Sequence, residues 1–402
     1  MLRPFLFFLA AVFGGLLPLK AHQVDTVEFE FQQLKGYWRL QGQMDIAYML
    51  PERRWVDDAG PLSRKAVMKA SPKELARIRK ETENTLRKYL TLSHGGKPLK
   101  WSIEFPDFKK DPFELPPDFG DFALLTVNLV VKEQTQPGVF ALQWSSKERA
   151  TLIVLDENSN NGIPVPVEPG ESLTLLKVTK ASGGNQSSES GSGDGSTTES
   201  SNTEGVNQSV AWRWLKSGFL HVIPKGLDHI LFILGLFLAV LAFKPMLWQS
   251  LLFTAAHSIT LAACALGWLP QWGWVEIFIA FTIAFIGVEN LLTKKKKEIG
   301  KRRYIIVFVF GLIHGLGFAS VFTEQVRSVP DDKLLQPLLW FNLGVEVAQV
   351  AVIVIAALIF AAIKKKKSKE RAQMIGSCLV VAAGVIWMIQ RIFGVDITFG
   401  LM

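Results

Sequence analysis

Residues 226–268 read GLDHILFILGLFLAVLAFKPMLWQSLLFTAAHSITLAACALGW. Two apolar runs meet at Lys244 and Pro245, and each approaches the roughly 20 residues that cross the hydrocarbon core of a bilayer. Each also carries a histidine, His229 in the first and His257 in the second. Runs of the same kind recur downstream, so the chain predicts six spans at about 226–243, 246–268, 273–292, 304–323, 337–363 and 372–394. The fold expected here is a polytopic α-helical membrane domain.

Residues before this region are a different material. From Val24 to about Val178 the pattern is mostly period two: Val27, Phe29 and Phe31 alternate with polar neighbours, and FALLTVNLVV (122–131), VFALQW (139–144) and ATLIVL (150–155) follow with turn signals between them. That pattern predicts a mainly β, antiparallel sandwich-like domain. One helix interrupts it, from Pro72 to about Leu90. Ser71 and Glu74 form a capping box, Pro72 takes the first helical position, and Leu75, Ile78, Leu86 and Tyr89 share a face. DENSNNG (156–162) has oxygen ligands at a calcium-loop rhythm, but Asn161 stands where the glycine belongs, so it reads as a surface turn.

The chain opens MLRPFLFFLAAVFGGLLPLKA, a basic start and a short apolar core ending in Ala21, the pattern of a secretory signal over 1–21. Cleavage there would expose His22 as an amino terminus able to chelate a metal. An exported β-rich domain over 22–180 would follow, then a Ser/Gly linker over 181–209 too poor in apolar area to fold, then the membrane domain over 210–402. Asn185 and Asn207 form N-x-S sequons that matter only in a eukaryotic secretory route. AWRWLKSGFLHVIP (211–224) mixes Trp212, Trp214 and Phe219 with Arg213 and Lys216, the composition of a helix lying on the outer leaflet.

Net charge is +8, yet KKKKEIGKRR (294–303) and KKKKSKER (364–371) supply it between apolar runs. That placement is topological and argues against a nucleic-acid partner. It puts these loops in the cytoplasm by the positive-inside rule, with the head and the C-terminus outside an inner (plasma) membrane. Two cysteines, Cys264 and Cys378, both lie in apolar segments and form no disulfide framework. No G-x-x-x-x-G-K-[ST] string is present, so the chain has no phosphate loop for ATP.

Ionisable groups in a span raise the cost of insertion and mark ion, proton or substrate paths. His229, His257 and a third histidine, His314 in VFGLIHGLGFA, share the spans with Asp228, Ser258, Glu289, Asn290, Asn342, Glu346 and Gln349. Depth counted along each helix puts His257, His314 and Glu346 level near the midplane, with Asp228 and His229 shallower and Glu289 and Asn290 close to the cytoplasmic side. Asn342, Glu346 and Gln349, spaced i, i+4, i+7, line one helix face. Gly311 and Gly315 flank His314 as a small-xxx-small pair that admits a neighbouring helix. Imidazole and carboxylate without clustered thiolates suit nickel, cobalt or zinc. The metal set is therefore His229, His257, His314, Asp228 and Glu346, with Ser258, Glu289, Asn290, Asn342 and Gln349 along a path.

The strings GLDHILFILGL, FTAAHSITL, IGVEN, FGLIHGLGFA and FNLGVEVAQ resemble the HupE/UreJ family of hydrogenase and urease accessory membrane proteins, in the branch with an exported head. The resemblance covers about residues 220–395. It implies a nickel or related metal permease feeding metalloenzymes, and carries Asp228, His229, His257, Ser258, Glu289, Asn290, His314 and Glu346 as functional positions. Two other readings stay open. One is an intramembrane zinc hydrolase acting from the outer side, with Asp228 or Glu346 as base and Ser258 as a polar stabiliser. The other is a metal-linked sensor or assembly factor that uses the head to recruit an exported or metallocentre-assembly protein.

Overall fold

The computed structural model describes residues 26–54, 62–116, 123–156, 162–178, 200–270, 272, 274–292, 300–326 and 329–393. The expected signal, His22, the core of the DENSNNG turn, most of the Ser/Gly linker and most of the first basic loop lie outside them. Contacts divide the chain into two compact units, one ending at Arg213 and one made mainly of the residues from Trp214 onward.

The first unit is built on β1 (Thr26–Leu34), β2 (Tyr37–Asp45), α1 (Pro72–Tyr89), β3 (Leu90–His94), β4 (Lys97–Pro98), β5 (Ser102–Glu104), β6 (Leu124–Lys132), β7 (Gly138–Trp144), β8 (Thr151–Asp156), β9 (Val165–Val167) and β10 (Ser172–Val178). Six strands pair in the order β5-β6-β2-β1-β8-β9 and four in the order β10-β7-β3-β4. The sheets meet through aromatic side chains that the period-two pattern points inward: Phe140 of β7 lies 4.5 Å from Trp38 and 5.7 Å from Phe31, centroid to centroid. One pairing departs from the antiparallel expectation, since β1 runs parallel to β8 over Thr26–Phe31. The alternation of inward side chains is the same in both pairings, so a sequence pattern does not distinguish them. The helix starts as expected, with Glu74 N donating to Ser71 Oγ at 3.3 Å and Pro72 in the first turn. It buries Ile78, Thr82, Thr85 and Leu86, while Leu75 and Tyr89 are only half-buried.

A polar cluster stands inside this unit. The Glu148 carboxylate is fully buried and ion-paired with Arg54, and the Tyr48 hydroxyl donates to it. Arg54 also stacks over the Tyr48 and Tyr89 rings, at 4.4 and 4.1 Å. Burial pushes the Tyr48 phenol well above its ordinary range, against the opposing pull of Arg54, so it remains a donor at any working pH.

The second unit is helical: α2 (Ser200–Val222), α3 (Leu227–Val240), α4 (Phe243–Ala265), α5 (Val275–Leu292), α6 (Lys301–Gln325), α7 (Leu335–Ala362) and α8 (Lys366–Phe393). Among the described residues, five helices are long and apolar enough to cross a membrane. The first expected span is different. α3 has 14 residues, about 21 Å of helix against a core near 30 Å. It is joined to Val210–Val222 at a bend of 70°, and the bent pair counts as a sixth span only when taken together.

The segment 211–224 does not form a separate surface helix. Trp214 and Val222 are fully buried. A Cβ added to Gly218 would collide with the Phe341 carbonyl oxygen, and one added to Gly344 with the Leu215 carbonyl oxygen, so α2 and α7 cross with backbones in contact. Trp212, 63% exposed, is the part of the segment that keeps the expected surface character. The helix also begins at Ser200, ahead of the end expected for the linker.

Two outcomes follow from these packings. Arg54→Ala leaves the Glu148 charge buried and unpaired, and lowers the stability of the β unit by about 3–5 kcal/mol; chemical denaturation of the full chain, followed by near-ultraviolet circular dichroism, measures it, and the double change Arg54→Met with Glu148→Leu recovers most of the loss. Gly344→Leu separates α2 from α7, and size-exclusion chromatography in detergent shows aggregated chain where the Val345→Leu control elutes as a single species.

Candidate metal centre

The bend at residues 223–226 brings two helix ends together against the bundle. α2 ends with His221 in its last turn, and α3 starts with Asp228 in its first turn, where unpaired backbone N–H groups favour a carboxylate. His229 follows Asp228 and is 1% exposed. His257 sits in the middle of α4 and His314 in the middle of α6, both fully buried. α4 and α6 are drawn together by the two glycines: a Cβ on Gly311 would lie 2.6 Å from the Phe253 oxygen, and one on Gly315 would lie 2.6 Å from the His257 oxygen. The close approach expected from the small-xxx-small pair is present, and it sets the two imidazole-bearing turns against each other.

Four rings converge. His229 lies 4.8 Å from His221, 5.6 Å from His257 and 5.4 Å from His314, between ring centroids. Two sets of ligand atoms result, each within 4.8 Å of one another: His221, His229 and His257 in one, and Asp228, His229 and His314 in the other. A tetrahedral ion with bonds near 2.1 Å spaces its ligand atoms about 3.4 Å apart, so small side-chain shifts close either set.

Hydrogen bonds on the far side of each ring decide which nitrogen carries the lone pair. Asn342 donates its Nδ2 to the Leu338 carbonyl at 2.8 Å, which turns its Oδ1 toward His257 Nδ1 at 3.3 Å. An amide oxygen only accepts, so His257 is protonated at Nδ1 and bare at Nε2. Thr282 donates its single hydroxyl proton to the Ile279 carbonyl at 2.7 Å, so the 2.8 Å contact with His314 Nε2 takes a proton from the ring and leaves Nδ1 bare. Asp228 Oδ1 accepts from His229 Nδ1 at 3.1 Å, leaving Nε2 bare. The bare atoms His229 Nε2, His257 Nε2 and His314 Nδ1 are all buried without a hydrogen-bond partner, as is His221 Nε2. Metal-bound histidines show this arrangement, with the distal nitrogen held and the proximal one free. His314 Nδ1 lies 3.9 Å from Asp228 Oδ2, the nearest acid to it.

The remaining positions lie elsewhere. Glu346 faces α4 one helical turn from the histidine pair, where it accepts from Ser250 Oγ at 3.0 Å and Thr254 Oγ1 at 2.6 Å. Gln349 Oε1 lies 2.7 Å from the same Ser250 hydroxyl, whose single proton is shared between it and Glu346. Asn342, Glu346 and Gln349 therefore do share a face, and it packs on α4, but only Asn342 touches a histidine. Ser258 turns back to donate to the Thr254 carbonyl at 2.7 Å. Glu289 is paired with Arg303 at 3.1 Å, and Asn290 donates to the Gly235 carbonyl at 2.7 Å, tying α5 to α3. The His229 ring stands next to those of His257 and His314, 5.6 and 5.4 Å away. It lies between the other histidines, because the bend carries the start of α3 inward. His221, absent from the expected set, completes the ring cluster; the spacing of His221 and His229 around Pro224 and Gly226 is the signal that marks it.

Residues 197–391 match the family model described as HupE / UreJ protein. No curated protein and no solved structure gives a match.

Thr282→Val removes the acceptor that holds His314 and weakens divalent metal binding by about 10–100-fold, without changing the number of ions bound at saturation. Competition against a chromogenic chelator reads the change directly, and equal elution volumes confirm an intact bundle.

Proposed function

With its membrane part, residues 197–391, belonging to the HupE / UreJ family, we propose that the chain is a membrane carrier for a divalent transition metal, nickel first, with cobalt and zinc as further cargoes. The family is linked to metal handling, and the helices fit a multi-pass membrane protein. The observation that carries the finer reading is the set of bare, buried imidazole nitrogens that no protein group satisfies. An unsatisfied polar atom in an apolar interior costs about 1–3 kcal/mol, and coordination to an ion passing through removes that cost. Imidazole with one carboxylate suits nickel, cobalt and zinc.

The proposal places the β-rich head and both chain ends on the outer side, after removal of a signal, with the basic loops at 294–303 and 364–371 in the cytoplasm. Hydrolysis finds less support. A hydrolase needs a base and a polar stabiliser at the metal, whereas Glu346 and Ser258 are engaged on α4 and Asp228 is bonded to His229. The sensor or assembly-factor reading has no feature of its own in the geometry.

Purified chain in proteoliposomes is expected to accumulate radioactive Ni²⁺ under an imposed proton or voltage gradient, and His229→Ala lowers the rate at least about tenfold. Absence of Ni²⁺, Co²⁺ and Zn²⁺ accumulation under every gradient would overturn the carrier reading.

A further inference from the structure

The two ligand sets share one residue, and that residue has one lone pair to give. Neither set contains both His257 and His314. The first, His221, His229 and His257, consists of three imidazoles. The second, Asp228, His229 and His314, adds a carboxylate. A neutral imidazole carries its proton on one ring nitrogen and its lone pair on the other, so His229 completes one set at a time. We propose that His229 is a shared ligand serving two alternative ion positions, so that the bundle holds one ion at either of two places and passes it across a single side chain. This rests on the metal-carrier reading and specifies how its site is divided.

Geometry on both sides of His229 supports the division. His257 is held from α7 through Asn342, and His314 from α5 through Thr282. The two outer ligands are thus fixed to different helices, and each keeps its bare nitrogen buried. His229 and Asp228 stand on the first turn of α3, directly after the bend at residues 223–226. A small swing of that turn moves the shared ring toward either partner while the flanking rings stay in place. The positions differ in charge: three neutral rings hold an ion by dative bonds alone, whereas Asp228 adds a full negative charge to the second set. The difference favours passage from the three-imidazole position to the carboxylate position.

The test uses full-length chain in detergent with Co²⁺ as probe, counting bound metal by equilibrium dialysis and bound imidazoles by X-ray absorption. Wild type is expected to bind one Co²⁺. His221→Ala, which damages only the first set, still binds one, with fewer imidazoles and more oxygen around it. His314→Ala, which damages only the second, still binds one with imidazole ligation. His229→Ala weakens binding on the order of 100-fold. Where an alanine variant aggregates, His257→Gln replaces it for the first set and His314→Gln for the second. Two Co²⁺ per wild-type chain overturn the proposal, as does loss of binding in the variants of either set, which means a single or merged site, or unchanged binding in His229→Ala. A wild type that binds no Co²⁺ overturns the carrier reading itself.

Discussion

Every polar atom carried into an apolar bundle must find its partner inside the bundle, because lipid offers none. This constraint organises the membrane unit. Glu289 is matched by Arg303, Asn290 by a backbone carbonyl of α3, Ser258 by the carbonyl one turn below it, and Glu346 by two hydroxyls of α4. Other buried atoms without a partner, Asn290 Oδ1, Arg303 Nη2, Thr323 Oγ1, Gln325 Oε1 and Gln349 Nε2, also occur among the described residues, but the four histidines gather their bare nitrogens in one cluster. Their distal nitrogens are matched by Asp228, Asn342 and Thr282 in three cases, so the incompleteness is confined to the side facing the other rings. This one-sided deficit is the feature on which the metal-carrier proposal rests.

The bend between α2 and α3 serves the cluster. An unbroken helix through residues 210–240 would carry His221 and His229 eight positions apart, about 12 Å along its axis. Bending by 70° brings their rings to 4.8 Å. Backbone N–H groups at the bend are satisfied locally, Ile223 donating to the Phe219 carbonyl at 2.9 Å, Lys225 to Leu220 at 3.3 Å and Gly226 to Val222 at 3.1 Å, while Pro224 and Lys225 are exposed. Close crossings at Gly218 and Gly344 anchor α2 so that its last turn stays at the cluster.

Much of this was legible in the amino-acid sequence, and the rest failed for identifiable reasons. Apolar run length located five full spans, because length and composition alone decide whether a helix can cross. Period-two alternation located the strands but not the parallel pairing of β1 with β8. His229, His257 and His314 stood out because few other groups in their runs are polar. His221 did not, since its neighbours Trp212, Arg213 and Lys216 have the composition of an interfacial helix, and its burial depends on the α2–α7 crossing. Glu346 was placed level with His257 by counting residues from the helix ends. The true register of α4 against α7 pairs His257 with Asn342, and Glu346 falls one turn away against Thr254.

The break after α2 also changes where this protein can be divided. A fragment begun at Phe243, where the first uninterrupted span starts, would keep five long helices and still look like a membrane protein. It would lack His221, Asp228 and His229, three of the five residues in the two ligand sets, and with His229 the one residue common to both. Separation of the head is compatible with an intact cluster only when the cut falls upstream of Val210, so that the helix bearing His221 travels with the membrane half.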